Sequence, residues 1–393
     1  MAAAAAGAEA RALSVLSSSV PLPSPPMDRR GSSLPIPGFV DLQVNGYAGV
    51  DFSNPELTRA DFVSAARRVL NDGCCVAFVP TIITSPLETY EAVLPMLADI
   101  MEETNAAGDA RVGELPPGSL LGVHLEGPFI SGEPGAVGCH PPEHTRAPSV
   151  ELLEHWQSLA RGQIRMITIA AELDGSEALV QCALRLGIVV SLGHQLAEAG
   201  DIARLAGAGA SLCTHLGNGM PNMIHRHKNT LWASLADDRL QTCLITDGEH
   251  LPCDAIVSFV RAKGSQGIIV TSDVAPVAGL DPGLHLWGHT RVRVEAPSDV
   301  GAPTRVRAAE LPCLAGSGSL MVHCVNYLAG LAGSRRPENA GKRLLSEAEL
   351  EDVSFYNPLR AIGMDGARTA ALLREAPRRV KFNAAKGQYD VIP

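Results

Sequence analysis

The chain has 393 residues, 46% of them hydrophobic and 19% charged, so it can bury a large core without disulfides or partners. Asp plus Glu outnumber Lys plus Arg by 42 to 32, which gives a formal charge of −10 and argues against nucleic-acid binding. The nine cysteines form no CxxC pair, and no window approaches the roughly 18 apolar residues of a membrane span, so we expect a soluble protein of a reducing compartment.

The first 36 residues differ in composition from the rest of the chain. They are rich in alanine, then in serine and proline, with Pro21, Pro23, Pro25 and Pro26 close together, and such a segment cannot form a packed core. We therefore predict a disordered extension over residues 1–36 and a cytoplasmic protein. The alternative is a cleaved organellar transit peptide, because the segment contains arginines and serines and few acidic residues.

From Pro37 onward, short apolar runs rich in β-branched residues alternate with longer segments of helical periodicity. The predicted strands are Phe39–Val44, Val76–Ile83, Leu120–Leu125, Met166–Ala170, Ile188–Leu192, Leu212–Thr214, Thr242–Thr246 and Ile268–Ser272. The predicted helices between them include Thr58–Leu70, Leu87–Glu103, Ser149–Leu159, Ser176–Leu186 and Ala197–Ala206. Parallel strands with intervening helices predict an α/β fold, a (β/α)₈ TIM barrel, which needs about 250 residues. We place this barrel within residues 37–380 and treat residues 381–393 as a C-terminal tail.

The alternative fold is a doubly wound α/β sheet. That fold needs a glycine-rich phosphate-binding turn after its first strand, and residues 44–47 (Val-Asn-Gly-Tyr) do not provide one. The barrel is also favoured because nearly every predicted strand ends in a side chain that can bind a metal, transfer a proton or hydrogen-bond a ligand. These residues are Gln43, Asn45, Thr81, Glu126, Glu172, His194, His215, Asp247, His250 and Asp273.

Three of these residues form a candidate metal-ligand set. Glu126, His194 and His215 follow the third, fifth and sixth predicted strands, and one carboxylate with two imidazoles is a ligand set of catalytic zinc. The separations of 68 residues (126 to 194) and 21 residues (194 to 215) fit two βα units and one short unit. All three side chains can therefore point into one mouth. Taken singly, each residue is explained as well by a turn-fixing carboxylate or a hydrogen-bonded loop histidine.

Asp273 ends the eighth predicted strand and faces the same mouth. A carboxylate there can accept a proton from a water that a metal activates and return it to a leaving amine, whereas the alternative role is a helix N-cap. Gln43 and Asn45 stand where many hydrolases on this barrel place a His-x-His pair for a second metal, and neutral amides bind Zn²⁺ poorly. We therefore expect one divalent cation per subunit, Zn²⁺ ahead of Fe²⁺, Co²⁺ or Mn²⁺.

Seven short motifs, in a shared order over about 280 residues, resemble those of a known family. They are Pro37–Gly46 (PGFVDLQVNG), His124–Phe129 (HLEGPF), Gly193-His194, Thr214–Met220 (THLGNGM), Asp247–His250 (DGEH), Ser272-Asp273 and Leu314–Ser317 (LAGS). The family is that of the N-acetylglucosamine-6-phosphate deacetylases, within the amidohydrolase superfamily. The resemblance implies a metal-dependent enzyme that hydrolyses N-acetylglucosamine 6-phosphate to glucosamine 6-phosphate and acetate, and a homodimer.

The resemblance also implies roles for the matching positions. Glu126, His194 and His215 are similar to the metal ligands of the family, and Asp273 is similar to its general base and acid. The positions implied to contact substrate are His140 and His250 at the sugar or its amide, Asn218, Gly219 and Arg226 at the phosphate, and Leu314. Without this resemblance, we would interpret Arg226 as a solvated surface charge, because His225, His227 and Lys228 surround it in the sequence.

The chain departs from the family pattern at its ends and near the sugar. A β-rich segment usually precedes the first motif and joins C-terminal strands in a small β-sandwich, but only 36 residues of low complexity precede Pro37 here. The C-terminal end also lacks a clear run of strands, so we expect a reduced or missing sandwich. Gly217 and Gly219 stand where the family more often has an aromatic residue and an alanine, which predicts a looser pocket wall.

Two other functions stay open at this point. The first is the same hydrolysis on another N-acyl amino sugar, such as N-acetylgalactosamine 6-phosphate or an unphosphorylated sugar. The second is a barrel that binds a sugar phosphate as a sensor or scaffold and has lost catalysis. The intact set of Glu126, His194, His215 and Asp273 argues against the second, because a dead enzyme need not keep them all.

Overall fold

The computed structural model describes residues 35–106, 115–288, 290–297, 303–310, 313–333, 342–364 and 366–392. The extension predicted over residues 1–36 lies outside these ranges except for its last two residues. The chain divides into two units, residues 1–35 and 36–393, and the described elements all belong to the second. Within the described residues, no helix is both long enough and apolar enough to cross a membrane.

The described elements follow one another along the chain in a repeated strand–helix order. The strands are β1 (Phe39–Val44), β2 (Gly46–Tyr47), β3 (Val50–Asp51), β4 (Cys75–Ile83), β5 (Val123–Glu126), β6 (Ile164–Ile169), β7 (Val189–Leu192), β8 (Leu212–Cys213), β9 (Gln241–Ile245), β10 (Ile268–Thr271), β11 (Gly283–Trp287), β12 (Thr290–Glu295), β13 (Arg305–Ala308), β14 (Val380–Asn383) and β15 (Gln388–Val391). The helices are α1 (Arg59–Asp72), α2 (Leu87–Ala106), α3 (Val150–Leu159), α4 (Ser176–Arg185), α5 (Ala199–Ala208), α6 (Thr230–Ala236), α7 (Cys253–Lys263), α8 (Met321–Gly330), α9 (Glu347–Glu351), α10 (Asn357–Ala361) and α11 (Gly366–Glu375), with a π-helical turn at Asp352–Tyr356.

Eight parallel strands form the central sheet, in the order β1, β4, β5, β6, β7, β8, β9 and β10. These are the eight strands predicted from the sequence, and their bounds, like those of the five predicted helices, differ from the prediction by three residues or fewer. The TIM barrel is therefore confirmed. Its strands are buried almost throughout, as expected for a parallel sheet covered on both faces.

Two of the predicted helix starts depend on side-chain caps. Thr58 Oγ1 accepts a hydrogen bond from the backbone N of Asp61 at 3.2 Å, and Ser149 Oγ accepts one from Leu152 N at 3.2 Å. Each cap satisfies one of the backbone donors that a helix leaves unpaired in its first turn. Helices α1 and α3 therefore begin at the residue after the hydroxyl, one position later than the sequence analysis placed them.

The barrel closes between β1 and β10 largely through one buried carboxylate. Backbone contact there is limited to the bridge between Val44 and Val274, with a hydrogen bond from Asn45 N to the Val274 carbonyl at 3.0 Å. Asp41, which is 1% exposed, accepts hydrogen bonds from Thr271 Oγ1 at 2.7 Å and Ser272 N at 3.1 Å, and also from the Ser272 hydroxyl. Asp41 therefore fastens the first barrel strand to the end of the last.

Two smaller sheets accompany the barrel. Strands β11, β12 and β13 form an antiparallel sheet whose inner face buries Trp287, Val292, Val294 and Val306. Strands β14 and β15 form a hairpin, and Tyr389 from it packs edge-on against Phe39 with ring centroids 5.3 Å apart. The segment predicted to be a C-terminal tail is therefore a two-stranded hairpin packed on β1.

We expect Asp41→Ala to lower the free energy of unfolding by at least about 3 kcal/mol, because it leaves several buried donors without an acceptor. The control is Asp174→Ala, which removes an exposed carboxylate and should change stability by less than about 0.5 kcal/mol. Urea unfolding followed by circular dichroism measures both. Equal effects of the two substitutions would show that the seam does not depend on Asp41.

Candidate functional site

A cavity of about 700 Å³ opens at the carboxyl ends of the barrel strands. Nine of the ten site residues predicted from the sequence line it: Glu126, His140, His194, His215, Asn218, Gly219, His250, Asp273 and Leu314. Arg226 does not line the cavity, and its side chain is exposed. Four other predicted strand-end residues do not line the cavity either: Gln43, Thr81, Glu172 and Asp247. Of these, Thr81 Oγ1 accepts from Val44 N, and Glu172 accepts from Leu196 N.

Glu126, His194 and His215, here called the donor cluster, converge at the floor of this cavity. Glu126 Oε1 lies 3.2 Å from His194 Nε2 and 3.0 Å from His215 Nε2, and the two Nε2 atoms are 3.0 Å apart. All three side chains are buried. A tetrahedral zinc site with Zn–N distances of about 2.0–2.1 Å has ligand atoms about 3.3 Å apart, so a triangle of this size fits one ion.

His140 offers a fourth nitrogen near the same point, because atoms of Glu126, His140 and His194 lie within 4.8 Å of one another. The hydrogen bonds distinguish the two histidines. Thr84 N donates to His140 Nδ1 at 3.3 Å, so the ring proton of neutral His140 is on Nε2, which lies 3.8 Å from Glu126 Oε2. His194 Nδ1 instead donates to the Ala136 carbonyl at 2.8 Å, which leaves the Nε2 lone pair facing the cluster. His194 can therefore bind a cation through its Nε2 lone pair, whereas neutral His140 can donate a hydrogen bond through Nε2.

Burial and mutual contact set the charges of these groups. Burial by itself raises the pKa of Glu126, but its side-chain contacts with His194 and His215 outweigh burial and bring the pKa well below its usual range. Burial lowers the pKa of His140 to about 3, with the neighbouring His194 adding to the effect. Burial also acts to lower the pKa of His215, but the hydrogen bond to Glu126 outweighs it and raises that pKa. The carboxylate of Glu126 is consequently ionised and His140 is neutral.

Asp273 lies beside the donor cluster and is held by two amides from β1. Gln43 Nε2 donates to Glu126 Oε1 at 2.8 Å and to Asp273 Oδ1 at 2.9 Å, and Asn45 Nδ2 donates to Asp273 Oδ1 at 2.8 Å. Because both amides use Oδ1, Oδ2 is left for other partners. Burial, followed by the charge of Glu126, raises the pKa of Asp273 to about 7.

Three residues of this site have backbone conformations that L side chains rarely adopt. His194 has φ 51°, His215 has φ 26° and Asp273 has φ 51°. Left-handed backbone at a non-glycine residue costs about 1–3 kcal/mol and persists only where the surrounding structure enforces it. The turns that follow β7, β8 and β10 are therefore strained at these three residues, whose side chains line the cavity.

One wall of the cavity is formed by the loop that follows His215. A Cβ atom on Gly219, whose φ is +58°, would lie 3.0 Å from His194 Nδ1, so glycine lets this loop approach the histidine closely. Asn218 Nδ2 donates to the His215 carbonyl at 3.2 Å. Farther along the loop, Met223 is 90% exposed. Trp232, on the helix α6 that follows, is 53% exposed, and its Nε1 donates to the Arg226 carbonyl at 3.0 Å.

His250 and Leu314 also line the cavity. His250 Nδ1 donates to Asp247 Oδ2 at 2.8 Å, and Ser317 Oγ donates to the same oxygen at 3.1 Å. Burial acts to raise the pKa of Asp247, but hydrogen bonds from His250 outweigh it and lower that pKa, so this carboxylate is ionised and fixes the orientation of His250. Asp247 therefore orients a cavity histidine and does not itself line the cavity.

Sequence reasoning missed several residues of the site. Gln43 and Asn45 were interpreted only as poor metal ligands, although they hold Asp273 in place. Their alternation with Asp41 on one strand, which puts all three on one face, was the signal that could have shown a shared role. Thr84, the partner of His140, carried no such signal because it is 56 residues away along the chain.

Comparison with known proteins gives relatives over most of the chain, although no family model matches it. An N-acetylglucosamine-6-phosphate deacetylase from Bos taurus is 34% identical over 344 residues, 85% of this chain and 76% of the relative. An N-acetylgalactosamine-6-phosphate deacetylase from Shewanella sp. (strain ANA-3) is 32% identical over 260 residues, 65% of this chain and 60% of the relative. The solved structure of N-acetylglucosamine-6-phosphate deacetylase from Thermotoga maritima has a TM-score of 0.68 at 28% identity and covers 88% of this chain and 82% of that one.

The fit of the donor cluster to one ion predicts that Zn²⁺ stabilises the metal-free protein. At a hundredfold excess over the dissociation constant, one site adds about 2.7 kcal/mol, which raises Tm by several degrees. His194→Ala and His215→Ala should abolish this rise, whereas His155→Ala, an exposed histidine paired with Glu91, should retain it. Differential scanning calorimetry with and without Zn²⁺ measures the shift, and an undiminished rise in both cluster variants would contradict the assignment.

Proposed function

The chain belongs to the family of N-acetylglucosamine-6-phosphate deacetylases, and on that basis we propose that it hydrolyses N-acetylglucosamine 6-phosphate to glucosamine 6-phosphate and acetate. It is a metal-dependent hydrolase of a linear amide bond. The observation that carries the proposal is the convergence of the donor cluster and Asp273 in one cavity at the carboxyl end of the barrel. Release of acetate from N-acetylglucosamine 6-phosphate by the Zn²⁺-loaded protein tests it directly.

Glu126, His194 and His215 would hold one divalent cation, and Zn²⁺ suits one carboxylate with two imidazoles best. When bound, the cation lowers the pKa of water and polarises the acetamide carbonyl. His140 directs its Nε2 proton into the cavity, where it can donate a hydrogen bond to the carbonyl oxygen as negative charge develops there. Gln43 stands where related hydrolases have a ligand for a second metal, and its amide donates hydrogen bonds to both Glu126 and Asp273.

Asp273 transfers the proton. Its Oδ2 accepts a proton from the attacking water and then returns it to the departing nitrogen, while Gln43 and Asn45 hold Oδ1. A carboxyl group whose pKa lies near 7 is suited to both steps, because neither protonation state is strongly disfavoured. A cation beside Glu126 would lower this pKa by offsetting the Glu126 charge, which favours the base form at the start of the cycle.

For the phosphate, we propose the backbone amides of Asn218 and Gly219 together with Arg226. Because Arg226 is exposed and does not line the cavity of its own chain, it would act from a second subunit. The apolar surface beside it, with Met223 90% exposed and Trp232 53% exposed, supports a homodimer contact at this loop. His250 and Leu314 would contact the sugar. We also propose a cytoplasmic location, since the nine cysteines are odd in number and form no CxxC pair, a pattern that favours a reducing compartment.

N-acetylgalactosamine 6-phosphate is a second candidate substrate, because the chain also resembles a deacetylase of that sugar. The two substrates differ only in the orientation of one hydroxyl group. Gly217 and Gly219 both line the cavity, and neither carries a side chain that could select between the two orientations of the hydroxyl group. Comparison of kcat/KM for the two phosphorylated sugars decides which is preferred.

We expect Asp273→Asn to lower kcat by about 10²–10⁴-fold, the usual contribution of a positioned acid or base, with little change in KM. The Asn side chain keeps the volume and can still hydrogen-bond Gln43 or Asn45, so the fold should be preserved. Asp281→Asn, an exposed substitution in the loop before β11, is the matched control and should leave kcat unchanged. Steady-state kinetics of acetate release measure both, and a near-normal kcat in Asp273→Asn would exclude its role.

A further inference from the structure

Four buried hydroxyl groups and one imidazole form a hydrogen-bonded chain across the strands that bear the donor cluster. All five side chains are 2% exposed or less. They are Thr81 on β4, His124 on β5, Thr168 on β6, Ser191 on β7 and Thr214 directly after β8, and are here called the hydroxyl chain. We propose that the hydroxyl chain sets the positions of the donor cluster, with His124 as its positioning residue. The inference rests on the proposed function, since it presupposes that the donor cluster holds a cation.

Four contacts join the five side chains. His124 Nδ1 lies 3.3 Å from Thr81 Oγ1, and His124 Nε2 lies 2.8 Å from Thr168 Oγ1. Thr214 Oγ1 lies 2.7 Å from Thr168 Oγ1 and 2.6 Å from Ser191 Oγ. Because the strands β4 to β8 are neighbours in the central sheet, the hydroxyl chain links five consecutive staves of the barrel.

The number of protons along the hydroxyl chain decides which nitrogen of His124 is protonated. Three contacts lie on the Nε2 side of the ring, and the hydroxyl groups of Thr168, Thr214 and Ser191 supply one proton for each. A proton on Nε2 would be a fourth, and one buried donor would then lack an acceptor among the described residues, which is costly. His124 is therefore neutral and protonated on Nδ1, which donates to Thr81 Oγ1.

Thr81 connects the hydroxyl chain to the first barrel strand. Its Oγ1 accepts from Val44 N at 3.1 Å as well as from His124 Nδ1. Its own proton is directed to the Val79 carbonyl, 3.5 Å away. Both lone pairs and the proton of this hydroxyl group are then used. Since Val44 ends β1, the hydroxyl chain also reaches the strand that closes the barrel.

Two residues of the donor cluster follow members of the hydroxyl chain in sequence. His124 is two residues before Glu126 on β5, so the two side chains lie on the same face of that strand. Thr214 directly precedes His215. Hydrogen bonds among the groups that surround metal ligands orient those ligands. The separation that the hydroxyl chain imposes between β5 and β8 therefore sets the separation of Glu126 and His215.

The third member of the donor cluster, His194, depends on the glycine that precedes it. A Cβ atom on Gly193 would lie 2.8 Å from Thr214 Cβ and 3.1 Å from Thr168 Cγ2. The backbone at Gly193 therefore packs directly against two members of the hydroxyl chain, at a separation that leaves no room for a side chain. Displacement of either threonine would move the backbone that positions His194.

Thr168 offers substitutions that separate the hydrogen bonds from the packing. Thr168→Val removes the hydroxyl group at the centre of the hydroxyl chain and nearly keeps the side-chain shape, whereas Thr168→Ser keeps the hydroxyl group. Thr89→Val is the matched control, because Thr89 on α2 is equally buried and its hydroxyl group has no hydrogen-bond partner among the described residues. Neither threonine lines the cavity.

We expect Thr168→Val to weaken Zn²⁺ binding by about 10- to 100-fold, the usual effect of losing a group that supports metal ligands. His124→Leu should weaken it at least as much, because it interrupts the hydroxyl chain on both sides of the ring. Thr168→Ser and Thr89→Val should bind Zn²⁺ as the wild type does. Titration calorimetry with Zn²⁺ alone, on metal-free protein, measures the four affinities, and circular dichroism checks that each variant is folded.

A second measurement does not depend on the stability of any Thr168 variant. Long-range proton–nitrogen correlation spectra of the metal-free wild type, with isotopically labelled histidine, should show His124 protonated on Nδ1, its signals being those that His124→Leu lacks. A proton on Nε2 overturns the inference. So does a Thr168→Val variant that binds Zn²⁺ as tightly as the wild type, and the proposed cation site then stands. A wild type that binds no Zn²⁺ overturns the proposed cation site and this inference with it.

Discussion

The site depends on a row of three polar side chains on the inner face of β1. Asp41 and Gln43 on β1 and Asn45 directly after it stand two residues apart, the spacing of one strand face, and all three are buried. Asp41 fixes Ser272, the residue before Asp273, while Gln43 and Asn45 hold the Asp273 carboxylate itself. The first strand and the residue after it therefore both close the barrel and hold the Asp273 carboxylate beside the donor cluster. A shift of β1 would disturb the fold and the chemistry together.

The barrel could be predicted from sequence because strand and helix periods are local properties of the chain. The convergence of Glu126, His194 and His215 could be predicted for a related reason: each stands at the end of a strand or two residues after it, and the carboxyl ends of barrel strands share one mouth. The hydrogen bonds of Gln43 could not, since they join residues 83 and 230 positions apart. The C-terminal hairpin was also missed, because strands of four residues with a single buried ring, Tyr389, carry little periodic signal.

Strain explains why such a site needs a rigid scaffold. His194, His215 and Asp273 each have left-handed backbone. Each such residue lowers the stability of the folded chain by about 1–3 kcal/mol. The turns bearing these residues follow strands whose side chains are buried, so the sheet resists relaxation of the turns. The sequence shows no mark of this strain, because histidine and aspartate do not indicate a positive φ in the way that glycine does. Only the assembled barrel reveals it.

Charge couples the donor cluster, proposed to hold the cation, to Asp273, proposed to transfer the proton. Glu126 and Asp273 are both buried and share the amide of Gln43, and the negative charge of Glu126 adds to burial in raising the pKa of Asp273 to about 7. A cation held by the donor cluster would reduce that repulsion, and so would return Asp273 to the ionised form that can accept a proton. On the proposed function, binding of a cation and ionisation of Asp273 would be coupled, because a single amide, that of Gln43, bridges the two carboxylates. In a site with one cation, the neutral amides of Gln43 and Asn45 would orient Asp273 without neutralising it.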